Sequence, residues 1–75
     1  MSSRETKPLI SVAIPAYNES ANIEQLAARL RSVFQQLDDR FQFEVVICEN
    51  GSADDTEQKI RAEVERDSRF KMIQL

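Results

Sequence analysis

Histidine and tryptophan are absent from this 75-residue chain, and glycine and cysteine occur once each. Each scarcity removes a class of function. With no histidine and only Cys48, the chain by itself has no usual ligand set for zinc. Any metal would have to be a hard cation of the magnesium or manganese type, held by carboxylates. Cys48 has no partner for an intramolecular disulfide and no histidine to activate it, so it reads as a small core residue in a reducing compartment. Ser52 has no histidine or lysine placed to serve as its base, which argues against a hydrolase. Gly51, the sole glycine, leaves no P-loop and no glycine-rich dinucleotide fingerprint. The net charge of -3, with the two signs interspersed, offers no footprint for nucleic acid. No apolar run approaches the roughly 20 residues that a membrane span needs. The polar start has no apolar signal core behind it. Residues 1–8 therefore read as a disordered lead-in, and the chain is expected to begin in the cytoplasm.

What remains is an ordinary globular balance, 41% hydrophobic and 31% charged, which excludes a disordered chain. Its length allows one small domain near the lower limit for a self-sufficient core. Leu9 to Ile14 is apolar and β-branched, and Pro15 is expected to stop it as a first strand. From Ala21 to about Leu37 the apolar positions are Ile23, Leu26, Ala27, Leu30, Val33, Phe34 and Leu37, one face of an α-helix. Ser20 is its expected N-cap and Asp38-Asp39-Arg40 its exit. Phe43 to Cys48 is a second strand whose unbroken apolar run Val45-Val46-Ile47-Cys48 predicts burial on both faces. Asp54 and Glu57 resemble a capping box opening a helix to about Arg66, with Ile60 and Val64 inward and Ala53 or Ala62 nearby. Phe70 to Leu75 completes the set as a third strand.

The order is βαβαβ, an α/β unit with right-handed parallel crossovers and no repeat or internal linker. If the strands lie in sequential order, both helices cover one face of the sheet and the other is bare. Such a face is not expected on a stable soluble monomer. The chain is thus expected to be the N-terminal piece of a larger domain, an oligomer burying that face, or marginally stable.

Function points to the strand ends, because ligands of parallel α/β sheets bind outside the carboxyl ends of the strands. Pro15-Ala16-Tyr17-Asn18-Glu19 closes the first strand, and Glu49-Asn50-Gly51-Ser52 closes the second. Tyr17 offers an aromatic face and a hydroxyl, Asn18 a donor and an acceptor, and Glu19 an anionic acceptor. Asn18 and Glu19 could equally do no more than organise the turn and the helix start. A carboxylate at Glu49, ending a buried strand, is costly unless solvated or hydrogen-bonded, and the N–H of a planar base would suit it. Asn50 and Ser52 either contact ligand or close an Asx-type turn. Asp54-Asp55 at a helix start reads as capping rather than as a metal pair. The charged stretch Glu57 to Arg69 reads as a solvated helix face.

The runs Ile10-Ser11-Val12-Ala13-Ile14-Pro15-Ala16-Tyr17-Asn18-Glu19 and Glu44 to Thr56 together resemble the start of a family 2 glycosyltransferase. The resemblance covers the chain from about residue 9. It implies the Rossmann-like N-terminal segment, over residues 9–75, of a GT-A domain that binds a nucleotide-diphosphate sugar. It also implies base and ribose contacts from Ala16, Tyr17, Asn18, Glu19 and Glu49. The family's usual second tip is Asp-Asp-Gly-Ser. Here Glu49 lengthens the arm and Asn50 removes a charge, which bears on nucleotide preference. By the same resemblance the metal-binding Asp-x-Asp and the catalytic base follow Leu75. A divalent cation, Mg or Mn, is then expected in the parent enzyme with its ligands outside this chain, which carries no catalytic or metal residues of its own. Asp67 to Leu75 resembles the approach to the third strand of polyprenyl-phosphate sugar transferases. That implies a polyprenyl-phosphate acceptor and a full-length protein at the inner face of the membrane.

Overall fold

A computed structural model describes residues 7–75. Its elements run β1 (Leu9–Ala16), α1 (Ser20–Leu37), β2 (Gln42–Glu49), α2 (Thr56–Arg66) and β3 (Phe70–Gln74). The strands form one parallel sheet in the order β1-β2-β3. Of the expected lead-in, residues 1–6 lie outside the described residues. Lys7 donates from Nζ to the Asp38 carbonyl at 2.6 Å, and the Pro8 carbonyl accepts from the Gln42 amide at 2.8 Å.

β1 runs through Pro15 rather than stopping before it. The reason is the ladder. The Ala16 carbonyl accepts from Asn50 N at 3.0 Å, so Ala16 turns its polar groups to β2. Pro15, one residue before, turns its nitrogen to the other side, where no β2 carbonyl waits for a donor. α1 begins at Ser20, with Glu19 rather than Ser20 in the N-cap position. β3 ends one residue before Leu75, although the Leu75 amide still donates to the Glu49 carbonyl at 3.0 Å.

One core joins all five elements: Ala16, Ile23, Ala27, Phe34, Phe43, Val45, Ile47, Ile60 and Phe70. Phe34 of α1 stacks on Phe43 of β2 with ring centroids 4.2 Å apart. Burying the two rings together removes a large apolar area from water. Burial along β2 alternates: Phe43, Val45, Ile47 and Glu49 are buried, while Glu44, Val46 and Cys48 are half-buried. The expected two-sided burial is therefore not met among the described residues, because both helices lie on one face. The other face is less apolar than expected. Its far end carries Ser11 and an ion pair from Lys71 Nζ to Glu44 at 3.5 Å. Ala13, Val46, Cys48 and Ile73 gather nearer the carboxyl ends.

Two expected helix positions are corrected. Val33 is exposed, since Arg31 and not Val33 turns toward α2. Ala53, in the loop before α2, and Ala62 on it stay exposed while Thr56 and Glu63 take the inward places beside Ile60. The stretch from Glu57 to Arg69 is accordingly not a fully solvated face. Glu63, 1% exposed, meets Arg31 Nη2 at 2.7 Å, and Arg31 Nε meets Asp67 at 3.0 Å.

Candidate functional site

Both polar clusters sit at the carboxyl ends of adjacent parallel strands, with Ala16 and Glu49 paired in register. Each turn is made by a residue in the left-handed region, Asn18 at φ 53° and Gly51 at φ 73°. Asparagine and glycine are the residues that reach that region at least cost.

Glu49 makes the second turn itself. Its Oε1 accepts from the Gly51 amide at 3.0 Å and its Oε2 from the Ser52 amide at 2.8 Å. Hydrogen bonding from Ser52, side chain first and then amide, outweighs burial and holds the Glu49 carboxyl below its ordinary 4.5. Only 2% of the residue is exposed. A buried carboxylate satisfied in this way is a turn organiser, and its spare lone pairs face no open surface.

The two tips are also laced to each other. The Asn18 amide donates to Ser52 Oγ at 2.9 Å, and Asn18 Oδ1 accepts from the Ala53 amide at 2.9 Å. The Glu19 amide donates to Thr56 Oγ1 at 2.9 Å, and Ser20 Oγ donates to Asp55. Asn22 Nδ2 donates to Glu19 Oε1 at 3.0 Å, which orients that carboxylate. The expected capping box takes another form: Asp54, one residue before the N-cap Asp55, accepts the Thr56 amide at 3.0 Å. The Thr56 hydroxyl, ahead of burial, pulls the Asp54 carboxyl below its usual value.

The structure thus brings the eight sequence-predicted residues together but divides them. Tyr17 (56% exposed), Asn18, Glu19 and Asn50 lie at the surface, with Pro15 exposed beside them. Ala16 and Glu49 are buried, and the Ser52 hydroxyl is engaged within the lacing. Thr56, fully buried, was missed from sequence; its place at a helix start following Asp54-Asp55 was the only local signal. The tips form an open ledge. Two recesses lie elsewhere, one of about 250 Å³ lined by Lys7, Asp38, Phe41 and Arg69, the other of about 320 Å³ beside Arg61 and Met72. Among the described residues no three histidine, cysteine or acidic side chains converge as a metal site. No helix among them is long and apolar enough to cross a membrane.

A parallel sheet whose neighbouring strand tips are joined into one polar ledge is the architecture of open α/β units, in which ligands as a rule bind outside the carboxyl ends of the strands. The chain belongs to glycosyl transferase family 2, whose family model matches residues 11–75. It is similar to an undecaprenyl-phosphate 4-deoxy-4-formamido-L-arabinose transferase of Pseudomonas syringae pv. syringae, 39% identical over 62 residues covering 81% of this chain and 18% of that protein. Glycosyltransferase AglE of Haloferax volcanii is 39% identical over 56 residues, 75% of this chain and 17% of that protein. Among solved structures, glucosyl-3-phosphoglycerate synthase from Mycobacterium tuberculosis superposes with a TM-score of 0.61 and 26% identity. That match covers 96% of this chain and 22% of the other, which was solved with Mn2+, uridine-diphosphate and glucosyl-3-phosphoglycerate. The chain spans under a fifth of the length of these two curated relatives.

Proposed function

We propose that this chain is the donor-binding segment of a glycosyltransferase that passes a sugar from a nucleotide-diphosphate to an acceptor, with the base and ribose held on the laced ledge. The carrying observation is that Tyr17, Asn18, Glu19 and Asn50 share one surface over two strand ends. The Tyr17 ring supplies a stacking face for a planar base. The Glu19 carboxylate and the Asn50 amide are placed to meet ring N–H groups or ribose hydroxyls. Pro15 and Ala16 form the floor, and Glu49 and Ser52 contribute by holding the turn that carries Asn50.

Two similar proteins support the finer reading. The structural neighbour was solved with Mn2+ and UDP, and the Pseudomonas protein is named for an undecaprenyl-phosphate acceptor. The proposed partners are therefore a nucleotide-sugar, a divalent cation (Mg or Mn) held by residues outside this chain, and a polyprenyl phosphate. A lipid-linked acceptor puts the full-length protein at the inner, cytoplasmic face of the membrane.

The test is calorimetric titration of the longest natural product of this sequence with UDP, GDP and ADP in the presence of manganese. One of the three should bind, and Tyr17→Ala should weaken it roughly tenfold or more, as expected for a lost base–aromatic stack. Absence of binding to all three would overturn the reading. A second reading, a non-catalytic module that self-associates, is favoured by one observation, the uncovered sheet face bearing Ala13, Val46, Cys48 and Ile73.

A further inference from the structure

The lacing between the tips has one member that no ligand can reach. Thr56, the first residue of α2, is 0% exposed, yet its hydroxyl is engaged twice. It accepts the Glu19 amide at 2.9 Å and donates to the Asp54 carboxylate, which also accepts the Thr56 amide at 3.0 Å. A hydroxyl can donate and accept at once; a methyl in the same volume can do neither. Through this group the backbone that carries Tyr17 and Glu19 is fastened to the start of α2, and so to the turn that Glu49 folds. Asn18 and Ser52 tie the same two loops from the exposed side.

We propose that Thr56 is a positioning residue for the nucleotide: it touches no ligand but sets the spacing between the Tyr17–Glu19 tip and the Glu49–Asn50 tip before ligand arrives. This role rests on the nucleotide reading above. Its physical basis is pre-organisation. A ledge already ordered loses less conformational entropy on binding, and that saving appears as affinity. Loosening one tip against the other should show as weaker binding rather than as a changed contact.

The experiment compares Thr56→Val, which keeps the shape but removes donor and acceptor, with Thr56→Ser, which keeps both. Each is made in the longest natural product and titrated with UDP, GDP and ADP plus manganese, with Tm recorded alongside. Ile60→Val, one turn along the same buried face, serves as a packing control that spares the lacing. On folded protein, Thr56→Val should bind about tenfold more weakly, with Thr56→Ser and Ile60→Val within about twofold of wild type. Thr56→Val binding like wild type, or Thr56→Ser falling as far as Thr56→Val, overturns the role and leaves the nucleotide reading intact. Wild type that binds none of the three overturns that reading and this role with it. Should Thr56→Val not fold, amide exchange on wild type decides the point. The Glu19 amide should be protected before nucleotide is added, and protection that arises only on binding overturns the proposal.

Discussion

Glu63 is the side chain whose position departs most from its sequence neighbourhood. It lies among Lys59, Arg61, Glu65 and Arg66, where a charged stripe reads as solvated, yet it is buried against Arg31, 32 residues earlier. Arg31 also lies over the Phe70 ring, 4.7 Å from its centroid, and reaches Asp67. Removing one partner of a buried pair leaves an uncompensated charge, a loss of about 3–5 kcal/mol. Glu63→Ala leaves Arg31 24% exposed and still paired with Asp67, so the loss should fall below that range, about 1–2 kcal/mol by urea unfolding. The double variant Arg31→Met/Glu63→Met should recover most of it; two additive losses would contradict the pairing. Gly51 poses the opposite case, since a Cβ there meets nothing within 4 Å. Gly51→Ala should still cost about 1 kcal/mol, because the positive φ alone penalises an L side chain.

Among the elements, helices were the most legible and loops the least. The spacing of Ile23, Ala27, Leu30, Phe34 and Leu37 marks α1 because helical periodicity is carried by neighbours along the chain. The loops after β1 and β2 show polar residues without showing who bonds whom. Glu49 could serve a ligand or its own turn, and only the folded chain brings the Gly51 and Ser52 amides to both of its oxygens. The same loops should make the fold acid-sensitive. Glu49 and Asp54 are held below their ordinary values, chiefly by hydrogen bonds, and Asp67 by Arg69 most of all. A carboxyl with a depressed folded pKa stabilises fully above its unfolded value and loses that contribution as pH falls toward the folded one. The urea midpoint should therefore be flat from about pH 7 to 5 and fall below about pH 4. Glu49→Gln should flatten part of that fall, and an unchanged slope would exclude Glu49 as a source.

For the molecule as a whole, one face of the sheet is roofed by two helices and the other is open among the described residues. The apolar half of that face adjoins the ledge, and β1 leaves its outer edge unpaired by β2 or β3. If the face is the route of self-association, Val46→Lys should shift the sedimentation mass of the isolated chain to that of a monomer. A mass unchanged by the substitution would remove that reading. Local pattern was enough to establish five elements, their order, the parallel sheet and the two tips, because strand and helix periods and turn residues act over a few positions. The two strand ends even carried enough motif to indicate glycosyl transferase family 2. Tertiary contact decided the rest: which face stays open, that Glu63 is buried, and that Thr56 binds one tip to the other. Those outcomes depend on partners more than 30 residues apart, as Glu19 and Thr56 are, or on which side of a sheet a helix comes to rest. Neither is encoded in the spacing of neighbours, and both follow only once burial has made unpaired polar groups costly.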